Sequence, residues 1–405
     1  MNEIVNSIND VIWSPALIYL CLGAGLFYSI MTRFAQVRHF KEMWKLLLNN
    51  NSSEKGISSF QALAVSLSGR VGVGNIAGVA AAIGFGGPGA VFWMWVVAFL
   101  GASTAYAEST LGQLYKVEEN GQYRGGPAYY FERCLGWKPL GILFAISAII
   151  GCGIFLPGVQ ANAVGNAVTK IFGDGALVVT SFGDVGTNKL IALAVILIIL
   201  AFIIFGGIKR IAQFTQVVVP FMALGYIVMA LIVVFLNLDK IPGVFQLIFS
   251  DAFSAQAGFG AAIGWGVKRG IYSNEAGQGT GPHAAAAAEV EHPAQQGLVQ
   301  AFSVYADTLF VCTATALMIL ITNQYNVAGT LPDGQFIVQN VDAATKINSA
   351  EFTQLALLQV FGSFGQVFVG LALFFFAFTT ILAYYYITET NVSYLNRIFN
   401  NKLPE

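Results

Sequence analysis

The polar residues with chemical potential in this sequence sit inside apolar runs. Along the chain they are Arg70 and Asn75, Glu108, Gln160 and Asn162, Asp307 with Thr308, and Thr379 with Thr380. The surrounding runs reach the length of roughly 20 residues that crosses a bilayer. A charged side chain at that depth is costly and usually functional. The chemistry these groups offer is binding. Hydroxyl, amide and carbonyl oxygens suit a hard monovalent cation, by analogy with calcium and magnesium. N–H groups at a helix start suit an anion. Bond-making chemistry is poorly provided for. His39, His283 and His292 fall in polar segments, there is no H-E-x-x-H motif, and Cys21, Cys134, Cys152 and Cys312 have no paired metal spacing. An enzyme is therefore not expected, and neither is a cofactor beyond a bound ion.

The densest of these stretches is 68–78, S-G-R-V-G-V-G-N-I-A-G. It interrupts an apolar segment of spanning length, and glycine weakens a helix by about 0.5–1 kcal/mol relative to alanine. Unwound backbone is tolerated in a membrane only where it is buried in protein or lines a cavity. Two bland readings compete. Gly72-x-Gly74-x-x-Ala77 fits a dinucleotide fingerprint, but no strand precedes it and no acidic residue follows at the required distance. Gly74-x-x-x-Gly78 fits close helix packing. A second glycine-interrupted run, 253–261, favours a binding site, because paired broken spans in two halves of a chain mark transporter sites.

The elements that must hold these residues follow from composition. The 405 residues are 56% hydrophobic and 10% charged, with mean hydropathy +0.67. That is the balance of a polytopic membrane protein, and a net charge of −1 speaks against a nucleic-acid partner. A first span is expected over 15–32, followed by Arg33, Arg38, Lys41 and Lys45, which places the N-terminus outside. Residues 37–48 read as an amphipathic surface helix with Val37, Phe40, Trp44 and Leu47 on its apolar face. The broken span then runs outward, and spans follow near 90–115, 140–170, 190–205 and 217–236. A seventh runs from about 244, with 254–261 as its break, to Lys268 and Arg269 inside; the last two lie near 298–321 and 355–387. On this scheme only Lys170, Lys189, Lys240 and Lys346 are external cations. The division is 1–57 for the extra N-terminal helix and surface helix, 58–236 for a first five-span repeat, and 237–405 for an incomplete inverted second repeat.

Several motifs together resemble the alanine or glycine:cation symporter family. They are G-V-G-N-I-A-G-V-A from Gly72, G-G-P-G-A-V-F-W-M-W from Gly86, Gly125-Gly126-Pro127, S-N-E-A-G from Ser273 and D-T-L-F-V-C-T from Asp307. The resemblance spans nearly the whole chain. It implies an all-α fold of the leucine-transporter type, with two inverted five-helix repeats and one extra N-terminal helix. It implies sodium-coupled, sometimes proton-coupled, uptake of alanine or glycine across a prokaryotic plasma membrane. It also implies two more spans beyond 384–395, so a chain ending at Glu405 is expected to lack the last two helices. An inactive truncated member and an ion or small-solute channel are the alternatives.

The resemblance puts substrate and ions between the two broken helices. Backbone around Gly72, Val73 and Gly74 is expected to meet the substrate carboxylate, with Gln160, Gln256, Ala257, Gly258 and Phe259 around it. Sodium ligands are expected from Ser68, Val71, Asn75, Ser254, Thr308, Thr379 and Thr380, the last two meeting the carbonyls of Ser68 and Val71. For Asn75 the alternative is a helix–helix hydrogen bond; for the threonines it is a bond back to their own helix. Arg70 and Glu108 either pair, or Arg70 guards the inner gate. No role follows from the residues themselves for the segment 273–277.

Overall fold

A computed structural model describes residues 12–48, 55–119, 121–180, 183–253, 259–328, 336–347 and 349–400. The described residues are mainly helical, with three short antiparallel hairpins among them. Helix α1 (Pro15–Met31) is followed by α2 (Phe40–Leu48), then α3 (Ser59–Arg70) and α4 (Ala77–Gly86). Next come α5 (Ala90–Leu114), the short α6 (Pro127–Arg133), α7 (Lys138–Phe172), α8 (Thr187–Ile204) and α9 (Gly207–Leu236). The remainder is α10 (Ile241–Ala252), α11 (Phe259–Asn274), α12 (Gly281–Ala287), α13 (Pro293–Ile321), α14 (Glu351–Phe361) and α15 (Ser363–Phe399). Among the described residues six helices are long and apolar enough to cross a membrane, seven if the bent pair α3–α4 counts as one span.

The first interruption follows from local chemistry. Ser58 and Gln61 form a reciprocal capping box that starts α3: the Ser58 Oγ accepts from the Gln61 N–H at 3.2 Å, and the Gln61 Oε1 accepts from the Ser58 N–H at 3.0 Å. The helix ends at Val71, Gly72 is extended, and a single 3₁₀ turn over Val73–Asn75 leads into α4. The two halves are bent by 61°. α7 contains a π segment at Gly151–Phe155, where Pro157 lacks the N–H that would continue the α ladder.

α5 is the seam of the molecule. Its small residues let α11, α12 and α13 approach closely, as in other membrane bundles. Gly101 faces Ala276, Gly112 faces Pro282, and Val97 and Thr110 enter the space left by Gly270 and Gly297. α1 lies along the same helix, with Gly25 against Leu100 and the Ser29 hydroxyl 3.1 Å from that of Ser103. At the other edge, α8 and α9 present Phe202, Phe205 and Phe221 outward, each at least three-quarters exposed. Faces of that kind belong against lipid.

These contacts fix relative directions. α4 ends and α5 begins at Gly86–Ala90, beside Trp265 and Ala252. α12 ends beside Gln113, whose amide donates to the carbonyls of Ala285 and Ala288. The chain from Phe259 to Ala287 therefore runs alongside α5 from one face of the bundle to the other, antiparallel to α3–α4. Its described interruption is 275–280, beside Gly101 near the middle of α5. Of the break expected at 254–261, residues 254–258 lie outside the described residues, and α11 begins at Phe259. The inner end expected for the seventh span is corrected. Lys268 and Arg269 are not its inner end: the Lys268 ammonium stacks over Trp13 and Trp265, on the face where α1 begins. α2 also differs from expectation. Leu47 of the expected face is buried with Met43 and Leu46, and Phe40 and Trp44, though at least two-fifths exposed, pack their rings against Phe302 and Tyr305 of α13, so the buried face is wider than expected.

Candidate functional site

The two interruptions lie against each other. A Cβ on Gly74 would meet the Tyr272 ring at 3.2 Å, and one on Gly69 would meet Glu275 Oε2 at 3.4 Å. A side chain at the first position would press on the ring, so the break that ends α3 and the one that ends α11 lie in close contact.

Asp307 braces both. It lies in a π segment of α13, Tyr305–Cys312, and is fully buried. Its Oδ1 accepts from Asn75 Nδ2 at 2.6 Å, and its Oδ2 accepts from the hydroxyls of Ser273 at 2.9 Å and Thr308 at 2.7 Å. Asn274 Nδ2 donates onward to Thr308 Oγ1 at 3.3 Å. An acceptor-only carboxylate fixes the Asn75 amide orientation. The amide oxygen then points back and accepts from the Gly72 N–H at 2.8 Å. Thr315 donates to the Asn75 carbonyl at 2.7 Å and shares a 2.7 Å bond with Tyr226 of α9.

The residues expected at the site take different places. Gln160 is buried and its Oε1 accepts from the Val73 N–H at 3.1 Å, so it touches the first break. The N–H groups of Gly72 and Val73 therefore already have protein acceptors. Asn75 and Thr308 serve the Asp307 brace, the hydrogen-bonding role set against the ligand role for Asn75. Thr380 comes to the first break: its hydroxyl lies 2.9 Å from the Ser68 carbonyl and 2.8 Å from that of Phe376. Thr379 does not. Its hydroxyl bonds back to Phe375 at 2.9 Å and abuts Met222 Sδ at 3.6 Å, on the α9 side of α15. Val71 is buried beside Gly72. Ser254, Gln256, Ala257 and Gly258 lie outside the described residues; Phe259 opens α11.

Arg70 and Glu108 do not pair. Arg70 Nη1 donates to the Gln300 carbonyl at 3.0 Å and to the Ser303 hydroxyl, tying α3 to α13. The Glu108 carboxylate accepts from the backbone N–H groups of Gly277 and Gly279, both at 3.1 Å. The second break is thus held from α5. Sequence reasoning missed Tyr272, Ser273, Asn274 and Glu275 as site residues. The signal was present, since 273–279 joins polar residues to two glycines straight after an apolar helix. Its role does not follow from residue types alone, because the partners Glu108, Asp307 and Tyr384 come from distant elements.

On the face where α1 begins, a cavity of about 390 Å³ descends to Val73 and Ala77. Asn162, Asn166, Lys170, Lys346, Glu351 and Gln354 line its walls, and Lys170 pairs with Glu351 at 3.6 Å. Towards the other face the same region is shut by the Arg70, Glu108 and Gln113 contacts. Crossing helices, two adjoining interruptions and a polar cavity that reaches the first of them from one face define a multi-span membrane protein.

Comparison with known proteins narrows this class. The chain matches the sodium:alanine symporter family over residues 1–403. It is 56% identical over 401 residues to the putative sodium/proton-dependent alanine carrier YrbD of Bacillus subtilis, covering 98% of this chain and 79% of that protein. It is 39% identical over 408 residues to the sodium/alanine symporter AgcS of Methanococcus maripaludis, covering 97% and 83%. It is 40% identical over 403 residues to the probable sodium/glutamine symporter GlnT of Bacillus subtilis, covering 98% and 78%. The chain belongs to the sodium:alanine symporter family, a family of transporters.

Proposed function

We propose that this protein is a secondary active transporter that carries alanine, and the smaller glycine, into a prokaryotic cell together with sodium by alternating access. The observation that carries the reading is the pair of antiparallel interruptions in contact at mid-depth, open to one face and shut towards the other. Two relatives bear alanine in their names, which supports alanine over other neutral amino acids. The glutamine named for a third makes side-chain size the point to test.

In this reading the fold is the leucine-transporter type, with 58–236 and 237–405 as inverted units that open with α3–α4 and α11–α12. The substrate carboxylate lies at Gly72, Val73 and Gly74, where it replaces the Asn75 and Gln160 oxygens that now accept from the Gly72 and Val73 N–H groups. Gln160 holds Val73 until substrate arrives. Ser68, Val71 and Thr380 hold one sodium ion. The face carrying Arg33, Arg38, Lys116, Arg124 and Arg397 is cytoplasmic, which leaves the N-terminus outside and the 390 Å³ cavity as the entrance.

Reconstitution into proteoliposomes tests the function. Labelled alanine should accumulate above its external concentration under an inward sodium gradient and fall back when the gradient is dissipated. Equilibration without accumulation would mean a channel.

A further inference from the structure

Three carboxylates and one guanidinium lie together at mid-depth. Arg70, Glu108, Glu275 and Asp307 are each at least nine-tenths buried. Arg70 is close enough to all three acids to feel their charge, yet among the described residues it forms no ion pair with any of them. Each carboxylate receives hydrogen bonds as an anion would. Glu108 takes two backbone N–H groups. Asp307 takes an amide and two hydroxyls. Glu275 takes the Thr280 hydroxyl at 2.7 Å and the Tyr384 hydroxyl at 3.2 Å. One fixed positive charge faces three negative ones, and a buried net charge in a membrane must be compensated.

Glu275 also borders a space. A cavity of about 10 Å³ lies between α3, the second break and α15, lined by Ser66, Gly69, Glu275, Thr280 and Tyr386 among others. That is room for roughly one water-sized sphere. Ser66 is 6% exposed, and its hydroxyl has no partner in the structure. Neither Ser68 nor Thr380 lines this cavity. Glu275 itself has a left-handed backbone, φ 54°, which turns its carboxylate back towards α3. Strain of that kind persists where the surroundings over-determine it.

We propose that this cavity is a second sodium site, with the Glu275 carboxylate and the hydroxyls of Ser66 and Thr280 as ligands. It rests on the symport reading and adds a second coupling ion to it. Three side-chain oxygens around a space of one ion's size suit a hard cation. A proton would need neither the space nor the Ser66 hydroxyl. The site joins α3 to the second break and to α15, so its occupancy steadies both interruptions at once.

The test is equilibrium binding of ²²Na⁺ to the purified full chain in detergent, read as ions per chain. The wild type should bind two. Glu275→Gln should bind one, Thr380→Ala should keep that second site unchanged and weaken the other about tenfold, and the double variant should keep only the weakened one. Ser66→Ala keeps every charge and should weaken one of the two sites about tenfold, the scale of one lost polar contact. That variant decides the matter should Glu275→Gln elute as aggregate. A wild-type count of one, a Glu275→Gln count equal to wild type, or a Ser66→Ala curve superimposable on wild type would overturn the proposal. Release of a proton in place of the second sodium would overturn it as well. Alanine uptake, measured separately, reports on the symport reading: a count of one with intact uptake sinks only the second site, and two ions without uptake sinks only the symport.

Discussion

The two adjacent threonines show how much a single rotation about a helix decides. Thr380 reaches the freed Ser68 carbonyl, while Thr379 points about 100° away and satisfies itself on its own helix. Thr380→Ala should therefore raise the sodium concentration for half-maximal uptake by about tenfold, the worth of one good ligand contact. Thr379→Ala should leave it nearly unchanged. Equal shifts in the two variants would contradict the geometry. Gly72 makes the same point by volume. Its φ of −131° is open to any residue, but a Cβ there would lie 2.6 Å from Thr380 Oγ1 and 3.3 Å from Gln160 Oε1. Gly72→Ala should cost most of the uptake while the protein still folds. Gly158→Ala, which meets nothing within 4 Å, is the control and should transport normally.

At the scale of elements, the sequence revealed the first interruption because its glycines and polar residues stand out against an apolar background. It concealed the second. There the polar run begins just after Lys268 and Arg269, and a membrane boundary drawn at two cations is the ordinary inference. In the folded chain the half-buried Lys268 ammonium lies over Trp13 and Trp265, which favours its charge there. The role of Asp307 was equally hidden, since its partners Asn75, Ser273 and Thr308 come from three elements, and π segments leave no mark in apolar periodicity. The apolar face of α2 was legible at Phe40, Trp44 and Leu47, but its extension to Met43 and Leu46 depends on packing against α13. The brace yields a stability prediction. In Asp307→Asn one carboxylate oxygen becomes an NH₂ group, and a donor must then face either the Asn75 amide or two hydroxyls. An unmet buried partner costs about 1–3 kcal/mol. Thermal unfolding in detergent should show a clearly lowered midpoint, whereas an unchanged midpoint would mean the network re-forms without the charge.

For the whole molecule, sidedness is the first thing to measure. Cys134 is exposed and unpaired on the face assigned to the cytoplasm, so a membrane-impermeant thiol reagent should label it only in opened cells. Asn166→Cys, in the wall of the 390 Å³ cavity, should add a label in intact cells. The reverse pattern would invert the orientation. Selectivity is the second. Glycine and alanine should compete for uptake, and leucine, with three more carbons than alanine, should compete poorly. Each methylene against a closed wall is worth about 1–3 kcal/mol. Leucine competing as well as alanine would show a roomier site. The seam along α5 has a mechanical meaning of its own. Val97 and Thr110 sit in the notches of Gly270 and Gly297 like teeth in a rack. Close-packed contacts of this kind jump between arrangements and do not deform by degrees. α5, α11 and α13 are therefore geared together: a push on one interruption turns the block or turns nothing. A half-loaded protein, carrying solute without its ions, then finds no halfway position in which to leak.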